Sequence, residues 1–394
     1  MAASTWWPAS ARLAIAMARN GCLISAVCPR GHPLHYVSDV KQVYEFHGFR
    51  STALLAAIRD SKPDFIVPCD DRIVSQLHEL FSLHSDLCPL IEYSLGNPGG
   101  FPIADSRSEL LKVATELGIR VPRSAVVTTG TDAQQSFGRF GPVAVMKMDG
   151  THGGEGVRIV RSAQEAAEAF RSLRLSAGLL AAAHRLLIYG DPLALWSWRR
   201  RATAEISIQE YIDGTPANNM VACWHGETLS EVAVECISSA GATGSANIVR
   251  RIQNPDLVRA AKLIAEKLGV SGFFGLDFMI EKSSGEPYLI EMNPRCTQLG
   301  HLQFQDHVDL ASALCERLTG RPSRPPESPI RNEMIGFFPQ AWKSSTPGDH
   351  WYSSFQDVPW EEKSLVAYLM QEPWLERRWQ ARTYRWLRGP KRAG

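Results

Sequence analysis

The chain has 394 residues, of which 44% are apolar and 21% charged, as in ordinary globular proteins with two or three domains. Its 42 basic and 41 acidic residues nearly cancel, so the net charge gives no reason to expect binding to nucleic acid or to membrane surfaces. The eight cysteines show neither a C-x-x-C pair nor zinc-ligand spacing, and we expect reduced thiols in apolar surroundings.

The apolar stretch near the N-terminus is interrupted by Arg12, Arg19 and Asn20. These polar residues exclude a membrane-spanning helix in this stretch. The charged start, unbroken apolar run and small-residue cleavage site of a secretory signal do not occur there in that order. We therefore expect a cytoplasmic protein without a membrane span.

Helices and strands alternate over the first hundred residues. A helix is predicted over residues 9–19, a strand over 22–28, a second helix over 52–60 and an apolar strand over 64–68. This alternation predicts a parallel sheet covered by helices. Because the first helix begins almost at residue 1, either the given start is late or the first strand is very short.

The strand over 64–68 is followed by Asp70, Asp71 and Arg72. Open α/β sheets bind ligands at the carboxyl ends of parallel strands, so these side chains are candidates for a ligand site. A helix N-cap is an equally good interpretation.

Three regions follow from the remaining pattern. Glycines and a proline at 96–100 mark the first boundary, and Ser106 with Glu109 then has the spacing of a capping box. The Pro-rich stretch 321–329 is typical of a linker. Strands are predicted near 123–128, 142–148, 157–161, 205–212, 219–225 and 228–236, and helices over 162–173 and 255–268. The predicted regions are 1–100, 101–320, and a linker plus a Trp- and Arg-rich extension over 321–394.

Residues 272–295 contain the clearest candidate site. Two β-prone runs flank the turn residues 282–286, and this pattern predicts a β-hairpin. The midpoint of Asp277 and Glu291 falls inside the turn. A symmetric hairpin therefore makes these acids cross-strand partners, with Cβ atoms about 5 Å apart.

Two adjacent carboxylates in apolar strands repel each other and are costly to desolvate, and a divalent cation removes that conflict. Asn293 and Arg295 follow Glu291 at even spacing, so they share its face of the strand. Three oxygen ligands beside a guanidinium suit Mg²⁺ that holds phosphates. The alternative is a surface hairpin with solvated acids, which the apolar flanks disfavour.

A second motif joins a strand to a glycine-rich loop. The strand ends at Lys147, and the loop over 150–156 includes Gly153, Gly154 and Gly156. Backbone N–H groups in such a loop can close over phosphate oxygens, although the Gly-Lys-Ser/Thr of the Walker pattern is missing. An ordinary hairpin loop is the alternative.

A third segment, Gln209–Ile212, is an apolar strand that meets a turn. In this order and at these spacings, the three segments resemble the ATP-grasp superfamily, in the branch with biotin carboxylase and the carbamoyl-phosphate synthetase large subunit. The resemblance covers roughly residues 60–315. It implies an α/β fold with α+β lobes: an ATP-grasp domain with a flexible lid at about 122–213, preceded by a parallel-sheet, Rossmann-like pre-ATP-grasp domain over 1–100.

The resemblance also implies roles in nucleotide binding. Arg107 and Lys147 match the two basic residues that contact phosphates, and the loop with Gly153, Gly154 and Gly156 matches the flap over them. Gln209, Glu210 and Ile212 match the hinge that binds the edge of the adenine. The resemblance implies that the Glu210 carbonyl and the Ile212 N–H make these contacts. Ala217 falls near the usual ribose ligand, and Asn218 or Asn219 is the candidate substitute.

The same resemblance implies roles for the residues of the hairpin. Asp277, Glu291 and Asn293 match the magnesium ligands, and Arg295 matches the residue that contacts the γ-phosphate or an acyl phosphate. Arg250 or Arg251 is the next candidate for anion binding, and Arg250 is our first choice as a catalytic residue.

The implied activity is that of an ADP-forming ligase. ATP and Mg²⁺, or Mn²⁺, would phosphorylate a substrate carboxylate, and an amine or similar nucleophile would then displace phosphate. The expected partners are a small-molecule carboxylate and an amine, without nucleic acid, and a homodimer is a candidate assembly. The alternatives are a bicarbonate-dependent, carboxylase-like enzyme and a catalytically silent nucleotide-binding regulatory protein.

The C-terminal extension is rich in tryptophan and arginine beyond residue 350. A basic amphipathic helix there would suit an anionic surface. We favour packing against the chain's own domain or a second copy, with arginine stems covering tryptophan rings.

Overall fold

The structure, a computed structural model, describes residues 1–46, 51–150, 156–176, 204–239, 244–305, 308–322, 329–343 and 349–371. The chain divides into two compact units. The first comprises Met1–Val121, Asp213–Ala240 and Ala246–Met370, and the second includes Pro122–Ile212. This second stretch has nearly the bounds of the predicted lid, whose movement remains a prediction.

The N-terminal layer of the first unit alternates helices and strands. Its elements are α1 (Pro8–Arg19), β1 (Ile24–Cys28), β2 (Val40–Glu45), α2 (Thr52–Ser61), α3 (Asp71–Leu83) and α4 (Cys88–Leu95). The strands β1 and β2 pair in parallel, which confirms the parallel layer. The backbone of Ala2 forms isolated parallel bridges with Val27 and Pro68.

The strand predicted over 64–68 is wrong, because only the bridge at Pro68 forms there. Pro63 and Pro68 have no backbone N–H and cannot donate to a ladder. Ala2 instead accepts from the N–H of Cys69 at 2.8 Å and donates to the carbonyl of Val67 at 2.9 Å.

Two caps fix the helices that begin beside the hairpin residues in the first unit. The helices that follow the layer are α5 (Phe101–Asp105) and α6 (Arg107–Glu116). Ser106 Oγ accepts from the N–H of Glu109 at 3.3 Å, so the helix start predicted there is confirmed. Asp70 caps α3 by accepting from the N–H of Ile73 at 3.1 Å. Arg107 and Asp71 are therefore held at the first positions of their helices.

The second unit is an antiparallel sheet with helices packed on it. Its elements are β3 (Ser124–Val127), α7 (Gly130–Phe137), β4 (Ala144–Met148), β5 (Val157–Val160), α8 (Ala163–Ser176) and β6 (Ile206–Glu210). The strand order is β3–β6–β4–β5. Met146 and Ile208 lie in its core, and the alternation of a strand puts Lys147 on the opposite face from Met146.

The central sheet of the first unit has, in the described residues, seven strands. Its elements are β7 (Gly214–Trp224), β8 (Glu227–Ser239), β9 (Ala246–Arg251), α9 (Pro255–Leu268), β10 (Gly272–Glu281), β11 (Pro287–Asn293), α10 (Leu310–Thr319), β12 (Met334–Phe337), α11 (Gln340–Lys343), α12 (Asp349–Ser353), β13 (Phe355–Asp357) and α13 (Lys363–Leu369). The strand order is β11–β10–β7–β8–β9–β12–β13.

Each face of this sheet packs on its own helices. Phe274 and Leu276 point into a core that includes residues of α6 and α9. The alternate residues, Phe273 and Met220 among them, point into a second core with α1 and α10. Asp277 lies four residues after Phe273 on the same strand, so the two side chains point to the same face and the carboxylate of Asp277 lies on the face of the second core.

The described part of the C-terminal extension up to Met370 belongs to the first unit. β12 pairs with β9 and β13 pairs with β12, so the extension supplies the last two strands of the central sheet. The Trp- and Arg-rich residues over 374–388 lie outside the described residues. Within the described ranges, no helix combines the length and the apolarity that a membrane crossing requires.

The start of β7 leaves no room for a side chain at Gly214. A Cβ atom there would lie 2.1 Å from the backbone oxygen of Ile280 on β10. Since backbone cannot shift as a side-chain end can, we expect Gly214→Ala to lower the free energy of unfolding by about 1–3 kcal/mol. Urea denaturation followed by tryptophan fluorescence measures the change.

Gly138→Ala is the matched control. Gly138 has a φ of −60° and no atom within 4 Å of the position of its Cβ. We expect its unfolding free energy to change by less than about 0.5 kcal/mol. Equal midpoints for the two variants would contradict the close approach at Gly214.

Candidate active site

Asp277 and Glu291 lie opposite each other on β10 and β11, so the predicted cross-strand pairing is confirmed. Asp277 accepts hydrogen bonds from the side-chain amides of Asn218, at 2.5 Å, and Asn293, at 2.9 Å. Burial, and then the neighbouring charge of Glu291, raise the pKa of Asp277 to about 7. The pair is therefore costly to keep fully ionised without a cation.

A guanidinium already contacts one of the two acids. Arg107, the first residue of α6, donates from Nη2 to Oε2 of Glu291 at 2.8 Å. The Arg107 side chain is 13% exposed, whereas that of Glu291 is 35% exposed. Glu291 thus combines an anchored oxygen with access to solvent.

Arg295 is held from two sides. Its Nε donates to Oδ1 of Asp71 at 2.8 Å, and its Nη2 donates to Oδ1 of Asn293 at 3.1 Å. Burial alone would lower the pKa of Arg295, but the carboxylate of Asp71 outweighs it and raises the pKa above the usual range. Arg295 therefore carries a fixed positive charge beside the acid pair.

Arg251 shares the face of the acid pair, whereas Arg250 does not. Asp277 pairs with Asn218, Asn218 with Val234 and Val234 with Arg251, and directly paired residues point to the same face of a sheet. The guanidinium of Arg251 lies 4.4 Å from the ring centroid of Phe304, in the second core.

Arg250 belongs to the row of Glu235 and Ala217, on the face packed with α6 and α9. Its Nε donates to Oε1 of Glu235 at 2.6 Å. The structure does not bring our first choice, Arg250, to the acid pair, and we propose Arg251 in its place as the anion contact.

The residues on this face fit a hard divalent cation. Asp277, Glu291 and Asn293 offer carboxylate and amide oxygens, which are the donors that Mg²⁺ prefers. The described residues contain no cluster of three or more His, Cys, Asp or Glu placed as metal ligands. Two carboxylates and one amide suit a Mg²⁺ ion that is completed by phosphate oxygens rather than a closed protein cage.

The second unit holds the other predicted nucleotide ligands. Lys147 on β4 is buried, with 7% of it exposed, and Gly156 accepts from the N–H of Met148 at 3.0 Å. Gly153 and Gly154 lie outside the described residues.

The predicted hinge lies at the end of β6. Gln209 is buried, and Ile212, also buried, is the last residue of this stretch of the second unit. Arg123 donates to both carboxylate oxygens of Glu210, at 3.1 and 3.0 Å, and this contact lowers the pKa of Glu210. The Glu210 side chain is thus paired with Arg123, and the adenine contact predicted through its backbone remains a prediction.

Sequence reasoning missed the supporting side chains. The sequence predicts for Asp71 only a ligand site or a helix cap, although Asp71 holds Arg295, 224 positions away. Asn218 was considered only for ribose, although its amide holds Asp277. The even spacing of Asn218 from Met220 on the same strand would have placed it on the face of the second core. No local signal links Asp71 to Arg295.

Comparisons with known proteins give a domain family and a shared fold. Residues 105–298 match the ATP-grasp domain family. The carbamoyl phosphate synthase large chain of Thermotoga neapolitana is 23% identical over 220 residues, which are 56% of this chain and 18% of that one. The chain therefore spans only a small part of the length of that curated relative.

Two solved structures share the fold. The N5-carboxyaminoimidazole synthetase of Staphylococcus aureus, complexed with ADP, has a TM-score of 0.59 at 15% identity and covers 82% of this chain and 78% of its own. The biotin carboxylase domain dimer of the 2-oxoglutarate carboxylase of Hydrogenobacter thermophilus, in complex with MgADP, ADP and bicarbonate, has a TM-score of 0.58 at 12% identity and covers 84% and 72%. The matched domain and the shared fold therefore confirm the resemblance of this chain to ATP-grasp enzymes of the biotin carboxylase and carbamoyl-phosphate synthetase branch.

Proposed function

We propose that the protein is an ADP-forming ligase that activates a substrate carboxylate as an acyl phosphate and joins it to an amine or similar nucleophile. The observation that carries the proposal is the cross-strand pair of acids, Asp277 and Glu291, beside the fixed charge of Arg295. ATP and Mg²⁺ (or Mn²⁺) are the proposed cofactors.

The acid pair and Asn293 would hold the metal. A divalent cation held by these residues would supply positive charge that offsets the charge of the phosphates. Asn218 fixes one oxygen of Asp277, and Arg107 fixes one oxygen of Glu291, so each acid has a defined orientation. Such contacts orient the two acids before a ligand binds.

Arg295 would contact the phosphoryl group as it moves to the substrate. Its position is fixed by Asp71 and Asn293, and its charge is retained at any physiological pH. Arg251, on the same face, would hold the carboxylate to be activated. Phosphoryl transfer relies on such charge placement more than on a dedicated base, and we assign no base.

We propose that the second unit supplies the remaining nucleotide contacts. Lys147 would contact the α- and β-phosphates, and Gly153, Gly154 and Gly156 would form the flap. Gln209, Glu210 and Ile212 would face the adenine, as the resemblance to the family implies. A homodimer stays a proposal, supported by the dimer reported for the biotin carboxylase domain.

Phosphate release tests the proposal. The full chain is incubated with Mg-ATP and a panel of amino acids and small carboxylates, each with and without an amine. We expect release that requires one carboxylate and rises when the amine is added. An ADP-forming ligase is rejected if ATP binds but no combination releases phosphate, which would support a silent regulatory protein.

A test with bicarbonate distinguishes the amine ligase from the second candidate, a carboxylase-like enzyme. The bicarbonate in the carboxylase-domain complex favours testing it as the carboxylate. Release that requires bicarbonate and no organic carboxylate would identify a carboxylase-like enzyme and overturn the amine ligase.

A further inference from the structure

Two cysteines that are 293 positions apart in the sequence meet where α1 packs against α10. Cys22 follows α1 by three residues, and Cys315 lies within α10. Their sulfur atoms are 2.9 Å apart, and neither thiol is in a disulfide. A disulfide needs a separation of ~2.05 Å, so the sulfurs must approach by less than about 1 Å.

Backbone and side-chain contacts hold both cysteines in place. Ser312, one turn before Cys315 and on the same face of α10, donates from Oγ to Oδ1 of Asn20 at 3.0 Å. The N–H of Cys22 donates to the carbonyl of Met17 at 3.2 Å. Contacts on both sides of the sulfur pair therefore connect the end of α1 to α10.

The two thiols differ in access and in acidity. Cys22 is half-buried, whereas Cys315 is 1% exposed. The hydrogen bond between the two thiols lowers the pKa of Cys22, and the same bond, together with burial, raises the pKa of Cys315. Since the thiolate is the reactive species, an oxidant would reach Cys22 first and find it the more reactive sulfur.

We propose that Cys22 and Cys315 form an oxidation-responsive dithiol, which hydrogen peroxide converts into an intramolecular disulfide. The Cys22 thiolate attacks one peroxide oxygen, the O–O bond breaks, and the departing hydroxide takes up a proton to give water. The Cys315 sulfur then attacks the Cys22 sulfenic acid, the S–O bond breaks, and hydroxide leaves with the Cys315 proton as a second water. The two sulfurs lose two electrons in total, and one peroxide is reduced to two waters.

The disulfide would join the N-terminal layer to the central sheet, because α10 also packs on β7 and β8. Cross-links that close long loops restrict the unfolded chain most. We therefore expect the oxidised protein to melt at a temperature higher by roughly 5 °C. None of the residues proposed for the metal or the nucleotide takes part.

The full chain is tested with graded hydrogen peroxide, non-reducing peptide mass spectrometry and thermal melting. We expect a Cys22–Cys315 linked peptide with the loss of two hydrogens, a higher Tm, and reversal of both by dithiothreitol. Cys22→Ser should lose the linked peptide and the Tm shift. Cys88→Ser is the matched control, since Cys88 is also half-buried but contacts the carbonyl of Phe81 at 3.2 Å, and it should respond like the unmodified chain.

Alkylation of the unmodified chain tests the proposal even if the Cys22 variant does not fold. Alkylation of Cys22 by iodoacetamide should be blocked after mild peroxide treatment, while Cys88 should remain open to it. The proposal is overturned if Cys88 is oxidised while Cys22 and Cys315 remain unlinked, or if the linked protein melts at the same or a lower temperature.

Discussion

Glu291→Gln is expected to lower ATP turnover by about 100-fold or more, equal to about 2.7 kcal/mol of transition-state stabilisation. Gln keeps the size of the side chain and one oxygen, but it removes the charge that, with Asp277, would balance a divalent cation. The rate of ADP formation at saturating Mg²⁺ and substrates measures the loss.

The fold should survive this substitution. Without the charge of Glu291, the second cause of the raised pKa of Asp277 disappears, which favours the folded chain at neutral pH. The weakened contact with Arg107 acts in the opposite direction, so we expect a small net change in the urea midpoint.

Glu286→Gln is the matched control. Glu286 lies in the turn of the same hairpin and also accepts from an arginine, Arg120, at 2.7 Å, but its side chain is 46% exposed. We expect ATP turnover within about twofold of the unmodified chain. Near-normal turnover in Glu291→Gln would remove Glu291 from the metal site, and an equal loss in both variants would point to damage of the hairpin.

The hairpin could be predicted from the sequence because its signal is local. The pairing of Asp277 with Glu291 agrees with their equal distances from the middle of the turn. It also needs the bulge between Asp277 and Phe278, because the register nearer the turn, in which Phe278 pairs with Leu289, would have placed Ile290 opposite Asp277. The helix start at Ser106 is equally local, since a cap and its partner are three residues apart.

The choice between Arg250 and Arg251 could not be made from the sequence. Its outcome depends on register shifts in the pairing of β8 with β9, at Cys236–Ser238 and Ser238–Ser239, and one residue of slip exchanges the faces of a strand. The ion pair of Asp71 with Arg295 was equally out of reach, because only the folded chain brings α3 beside the end of β11.

Long-range pairing also explains why the sequence predicts the extension as a separate region. β12 has only four residues, Met334–Phe337, and its place beside β9 is fixed by partners far away in the sequence. A four-residue apolar run after a Pro-rich stretch carries no pattern that predicts which sheet it joins.

Arg295→Lys is expected to lower kcat by about 100-fold, with a smaller change in the KM for ATP. Lysine keeps the charge, but it cannot form the fork that contacts Asp71 and Asn293 together. The loss therefore measures the placement of the charge rather than its presence. Steady-state rates over a range of ATP concentrations separate kcat from KM.

Asp71→Asn extends the test to the residue that positions Arg295. The guanidinium remains, but the charged partner of its Nε becomes a neutral amide, so we expect a fall in kcat of about 10-fold. Arg317→Lys is the control for the chemical change, since Arg317 pairs with Glu227 at 2.9 Å at a more exposed position of the same unit. If Arg295 acts on the transferring group, the loss in kcat must be largest in Arg295→Lys, smaller in Asp71→Asn and smallest in Arg317→Lys. A larger loss in Asp71→Asn than in Arg295→Lys would instead give Asp71 a role of its own, because an acid that only orients Arg295 cannot matter more than the arginine it holds.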